Sequence, residues 1–208
     1  MRAPAELPPL YAIVDPLDTG RDPVELARAM LAGGATLLQL RLKGHPPRHV
    51  WKAARAIVAL AAEVGARVVV NDRPDIAAAA GAIGVHLGQG DVPPSVAARL
   101  LPAYAWVGVS THDPAQVTAA AAVDPSYVAV GPIFATASKR GALPARGVDL
   151  VRQARLLTDR PLVAIGGLTP ENAGEVRAAG ADSIAMIAAL VRAPDVAATV
   201  RAALAAVR

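Results

Sequence analysis

Short apolar runs recur along the chain, and each is followed by a stretch of helical spacing. The runs are Leu10–Val14, Thr36–Leu42, Arg67–Val70, Ile83–Leu87, Trp106–Ser110, Tyr127–Val130, Pro161–Ile165 and Ser183–Ile187. Between them lie predicted helices at Pro23–Ala32, Pro47–Val64, Pro74–Ala80, Pro93–Leu101, Ala115–Val123, Leu150–Thr158 and Pro170–Ala179, with Asp195–Val207 closing the chain. Runs this short and this continuously apolar read as strands buried on both faces. Proline suits the first helical turn, where its missing N–H costs nothing, and Asp22 is placed to cap the first helix. Strict β–α alternation builds a parallel sheet. Eight units in 208 residues leave about 26 residues each, at the low end for a closed (β/α)8 TIM barrel. No linker or shift in composition divides the chain, so one barrel domain over 1–208 is expected. A doubly wound open sheet is the alternative. Polar and glycine-rich residues after strand upon strand favour the barrel, which brings all eight ends to one face.

Such a barrel must be filled by small and branched side chains. The chain is 54% hydrophobic but only 3% aromatic, with a mean hydropathy of +0.39, which suits that packing. Cysteine is absent, which excludes disulfides, thiolate metal ligands and cysteine nucleophiles. A metal would have to be held by oxygen or histidine, and oxygen points to magnesium. Net charge is +4, yet no basic run is interleaved with aromatics, so nucleic acid is not the expected partner. The opening MRAPAELPPL lacks an apolar signal-peptide core, and Ala77–Leu87 is too short to span a bilayer. No membrane association and a cytoplasmic location are therefore expected. Among closed assemblies a homodimer is the commonest expectation.

In a barrel the chemistry gathers where strands end. Strand 2 alternates, with Leu38 and Leu40 on one face and Gln39 and Arg41 on the other; Lys43 continues the polar face. Asn71 and Asp72 follow strand 3, and His86 and Asp91 come with strand 4. Ser110 and His112 come with strand 5, and Ile187-Ala188 with strand 8. The long stretch after Tyr127–Val130 carries Thr136, Ser138 and Lys139, hydroxyls beside cations as a phosphorylated ligand requires. Gly166-Gly167 bares backbone N–H groups after strand 7, where this fold often binds phosphate. Asp72 and Asp91 are the candidate magnesium ligands; helix N-caps are the structural alternative for each. Arg41 is either a phosphate clamp or half of a barrel-interior ion pair. His112 is either a proton shuttle or a residue that orients a neighbour. His86, inside an apolar strand, reads as an interior histidine with its bonds satisfied.

These stretches together resemble the thiamine phosphate synthase family. The resemblance rests on QLRLK at Gln39–Lys43, ND at Asn71-Asp72, HLGQGD at His86–Asp91, VSTH at Val109–His112, GPIFATASK at Gly131–Lys139, AIGGL at Ala164–Leu168 and AMIAAL at Ala185–Leu190. It implies coupling of 4-amino-2-methyl-5-(hydroxymethyl)pyrimidine pyrophosphate to a hydroxyethylthiazole phosphate, with pyrophosphate leaving first. Gln39, Arg41, Lys43, Asn71, Ser110 and Lys139 would hold the pyrimidine pyrophosphate. Arg41, Lys43, Ser110 and Lys139 would carry the catalysis, with His112 also in the substrate site. Asp72 and Asp91 would bind Mg2+, and Thr136, Ser138, Gly167, Ile187 and Ala188 would line the thiazole phosphate site. Ala188 stands where the family commonly has Ser, leaving only a backbone N–H there. Ser138–Val148 looks more like the sister thiazole tautomerases, which isomerise a carboxythiazole phosphate and use a histidine where His112 stands. Gln39 with Lys43 and Asp72 with Asp91 favour the synthase. A non-catalytic barrel that binds thiamine intermediates is a third reading.

Overall fold

The eight apolar runs form eight parallel strands in one closed ring, β1 pairing with β2 and so on until β8 returns to β1. The structure, a computed structural model, describes residues 4–136, 138 and 143–207. The strands are β1 (Leu10–Val14), β2 (Leu37–Leu40), β3 (Arg67–Asn71), β4 (Gly84–Leu87), β5 (Trp106–Thr111), β6 (Tyr127–Val130), β7 (Leu162–Ile165) and β8 (Ser183–Met186). The intervening helices are α1 (Pro23–Ala32), α2 (Pro47–Glu63), α3 (Pro74–Ala80), α4 (Pro94–Leu100), α5 (Pro114–Ala122), α6 (Asp149–Leu157) and α7 (Pro170–Ala178). Then come α8 (Ala188–Val191) and α9 (Val196–Ala206). No helix among the described residues is long and apolar enough to cross a membrane.

Local chemistry sets the element ends. Asp22 does cap α1, accepting from the N–H groups of Val24 and Glu25. Thr169 and Asn172 form a reciprocal capping box on α7. Strand 2 is shorter than its pattern suggests. It stops at Leu40, so Arg41, Leu42 and Lys43 already belong to the loop. Strands 3 and 5 each run one residue further than expected, to Asn71 and Thr111, so Asn71 joins Ser110 within the sheet. The apolar Ile187–Val191, which continues the pattern of β8, turns instead into the short helix α8 with Ile187 at its N-cap.

The barrel is lined mostly by Val, Leu, Ile and Ala, as a chain poor in aromatics must be. Glycine appears where backbones press together. A Cβ on Gly84 would lie 2.2 Å from the Trp106 carbonyl oxygen, and one on Gly131 would lie 2.1 Å from that of Ile165. The few aromatics are concentrated rather than spread. Tyr11 and Tyr127 are both buried in the barrel centre, their rings edge-to-face at 6.0 Å.

Candidate active site

The mouth at the strands' C-terminal ends has two halves. One is a charged cluster on β2–β4. Lys43 Nζ lies 2.9 Å from Asp72 Oδ2. Asp91, beyond β4, accepts from the Gly88 N–H at 2.7 Å. Burial, then the facing Asp72 carboxyl, holds the Asp91 carboxyl above the usual carboxylate range; Lys43 opposes the shift. Neither aspartate caps a helix: the residues at the N-caps of α3 and α4 are Arg73 and Pro93. Asp72 sits at φ +63, a region that side chains other than glycine seldom adopt, and its N–H is tied to the His86 carbonyl at 2.8 Å. The fold thus holds two carboxylates against each other where repulsion raises their energy. That donor set suits a hard divalent cation such as magnesium, although the described residues contain no cluster of three or more acidic or histidine ligands.

Arg41 precedes Lys43 by two residues in the same loop. Its guanidinium pairs with Asp15, just past β1, so the barrel-interior ion pair is present. Both residues are buried, and Asp15 also accepts from the Leu17 N–H at 3.0 Å. Arg41 Nε is buried with no partner among the described residues. Asp15 therefore anchors Arg41 and leaves part of its donor fork unused. Asp15→Asn keeps an acceptor for Leu17 but removes the compensating charge. It is expected to cost about 2 kcal/mol in urea unfolding, and a cost near zero would show that Arg41 does not need its partner.

The second half is a pocket of about 400 Å³ over β5–β8. Ser110, His112, Thr136, Ser138, Gly167, Ile187 and Ala188 all line it. Gly166 and Gly167 turn at φ +104 and +64, and a Cβ on Gly167 would meet the Ala135 carbonyl oxygen at 2.5 Å. The N–H groups of Gly167, Ala188 and Ala189 have no acceptor among the described residues. Convergent unpaired N–H groups beside two hydroxyls suit a phosphate. His112 Nδ1 lies 2.6 Å from the Gly131 carbonyl, so Nδ1 carries a proton and donates, which leaves Nε2 as the ring nitrogen turned to other partners.

Gln39 and Asn71 belong to the β2–β3 side and are not part of the pocket lining. Ser110 links the halves. Its backbone carbonyl accepts from Gln89 Nε2 at 2.6 Å, and its hydroxyl meets His86 Nε2 at 2.7 Å. His86 is an interior residue with both ring nitrogens engaged, as its strand suggests. Lys139 lies outside the described residues. Sequence reasoning passes over Asp15, which looks like a turn residue, and Tyr11 and Tyr127, which look like ordinary core. It also passes over Arg192, which lines the pocket while pairing with Asp18 at 2.9 Å. In a chain with so few aromatics, two tyrosines on strands were the available signal.

Known proteins resemble the chain in both sequence and fold. A family model described as thiamine monophosphate synthase matches residues 10–190. A thiamine-phosphate synthase of Methanoregula boonei is 45% identical over 193 residues, covering 92% of this chain and 89% of that protein. One of Koribacter versatilis is 45% identical over 197 residues, covering 92% of each. Among solved structures, a thiamine phosphate pyrophosphorylase from Pyrococcus furiosus superposes with a TM-score of 0.88 at 33% identity, covering 96% of this chain and 95% of that one. Alike in sequence and in fold over nearly its whole length, the chain belongs to the thiamine monophosphate synthase family of transferases.

Proposed function

We propose that the protein couples an aminopyrimidine-methyl pyrophosphate to a hydroxyethylthiazole phosphate, one substrate to each half of the mouth. The observation that carries this reading is the division itself. A cation-and-carboxylate cluster suited to a pyrophosphate adjoins a pocket with unpaired N–H groups and hydroxyls suited to a phosphate monoester. Gln39, Asn71 and Ser110 hold the pyrimidine. Arg41, Lys43 and Lys139 grip its pyrophosphate, Arg41 through donors that Asp15 leaves unused. Thr136, Ser138 and the N–H groups at Gly167 and Ala188 fix the thiazole phosphate. Asp72 and Asp91 hold magnesium, which when bound neutralises charge on the departing pyrophosphate. The pyrophosphate leaves first, giving a pyrimidine-methyl cation that the ring amino group stabilises, and the thiazole nitrogen then attacks. No covalent nucleophile is needed. The protein's work is to neutralise a leaving group and to align two ligands.

His112 gives a second reading a specific foothold, because its ring, held through Nδ1, lines the pocket where a tautomerase would move a proton. One assay separates the two. Purified protein, both phosphorylated substrates and Mg2+ are expected to yield thiamine phosphate, and excess chelator is expected to cut the rate at least about 100-fold. Isomerisation of the carboxythiazole phosphate without coupling, abolished by His112→Ala, would replace the synthase reading with the tautomerase one. Product formation at full rate in chelator would remove the metal from the reading.

A further inference from the structure

The reaction as described uses neither Tyr11 nor Tyr127, yet these two of the chain's three tyrosines are buried beneath the mouth. Their hydroxyls form the middle of a hydrogen-bond chain that crosses the barrel. Gln39 Nε2 donates to Tyr11 Oη at 2.9 Å. Tyr11 Oη meets Tyr127 Oη at 2.9 Å, and Tyr127 Oη meets His86 Nδ1 at 3.1 Å. His86 Nε2 meets Ser110 Oγ at 2.7 Å, and the His86 ring stacks on Tyr127. The ends of the chain, Gln39 and Ser110, are two of the three neutral groups assigned to the pyrimidine.

Protons have to be shared out consistently along such a chain. Each hydroxyl carries one proton, and a neutral imidazole carries one on a single nitrogen. Burial pushes both phenols above their ordinary range, so both stay protonated. Tyr11 already accepts from Gln39, and its own proton has one acceptor among the described residues, Tyr127. The Tyr127 proton then goes to His86 Nδ1. His86 must carry its proton on Nε2 and donate to Ser110 Oγ. The Ser110 proton is left for a ligand. At the other end the Gln39 carbonyl oxygen, without a partner among the described residues, is left as an acceptor. With the Gln39 amide turned so that its N–H faces Tyr11, the reverse polarity would strand a proton on fully buried Tyr11; it requires the amide to rotate and present N–H to the ligand instead.

We propose that Tyr11, Tyr127 and His86 are positioning residues that lock Gln39 as an acceptor and Ser110 as a donor, and so select a ring bearing an amino group beside a ring nitrogen over its oxo counterpart. The proposal rests on the coupling reaction above and adds where its pyrimidine specificity is set, by groups that never touch the substrate. An oxo ring offers an acceptor where the amino ring offers a donor, and a site built for one pattern leaves buried groups unpaired with the other.

The test measures binding of two unreactive probes, the 4-amino and the 4-oxo forms of 2-methyl-5-(hydroxymethyl)pyrimidine monophosphate, by calorimetry. The unaltered protein is expected to bind the amino form at least about tenfold tighter. Tyr127→Phe keeps the ring but removes the central link. The Tyr11 proton then needs an acceptor, which Gln39 supplies by rotating its amide and turning N–H toward the ligand. The amino-to-oxo preference should fall about tenfold. Both affinities falling equally, with the ratio unchanged, would mean a merely structural role and would overturn the proposal. A second readout needs no variant: nitrogen NMR of the unaltered protein should show His86 as the Nε2–H tautomer, and the Nδ1–H tautomer would overturn it as well. Failure of the unaltered protein to bind either probe would instead sink the coupling assignment, and this inference with it.

Discussion

Asp91→Asn is expected to lower kcat/KM for coupling about 1000-fold, equivalent to ~4 kcal/mol of transition-state stabilisation, while the protein stays folded. Asn keeps an oxygen that can accept the Gly88 N–H, so the loop after β4 retains its anchor. What disappears is one of the two carboxylates proposed to hold magnesium. Burial and Asp72 already hold the Asp91 carboxyl above its ordinary range, so its charge costs the folded protein stability. Removing that charge should leave the melting temperature equal or slightly higher. This opposition, lower activity with undiminished stability, is the mark of a site kept for function rather than for the fold. Raising Mg2+ should recover part of the loss if Asp72 still supplies one ligand. Steady-state rates across a Mg2+ titration, beside thermal unfolding, decide it. Wild-type rates in Asp91→Asn would remove the pair from the site, and a parallel collapse of stability would recast Asp91 as a structural acceptor of the Gly88 N–H.

The fold was legible because a closed parallel barrel writes itself locally. Each β–α unit carries its own apolar run, and most carry their own proline at the first helical turn. The charged half of the mouth was legible for a similar reason. Lys43, Asp72 and Asp91 are polar residues shortly after apolar runs, and the C-terminal ends of all strands in this fold open on the same face. The rest depends on contacts between distant strands. Asp15 reads as a turn residue until the fold sets it against Arg41, 26 positions away. Tyr11 and Tyr127 are 116 residues apart, and nothing local says that their hydroxyls touch. Helix α8 escaped because a four-residue apolar helix after an apolar strand shows no period of its own. Lys139 rests on the resemblance and on the chemistry of its neighbours alone.

Gly108→Ala should destabilise the protein by about 4 kcal/mol, a large effect for adding one methyl group. Gly108 lies on β5 directly opposite Tyr127 on β6 in the ladder. A Cβ there would come within 2.0 Å of Tyr127 Cζ and 2.4 Å of its hydroxyl oxygen, distances that no side chain tolerates. The ring cannot yield cheaply. It is fully buried, it stacks on His86, and its hydroxyl serves Tyr11 and His86 together. Displacing it combines overpacking, about 1–3 kcal/mol, with the loss of two buried hydrogen bonds at roughly 1 kcal/mol each. Glycine is needed at this position so that an aromatic can lie across a narrow barrel, and that aromatic connects Gln39 to Ser110. A double-mutant cycle gives the check. Tyr127→Leu removes the ring, so Gly108→Ala in that background should cost under about 1 kcal/mol, a coupling well beyond the additivity expected of independent sites. Equal costs in both backgrounds would show that the methyl group meets the barrel wall rather than the tyrosine, and would detach Gly108 from the interior hydrogen-bond chain.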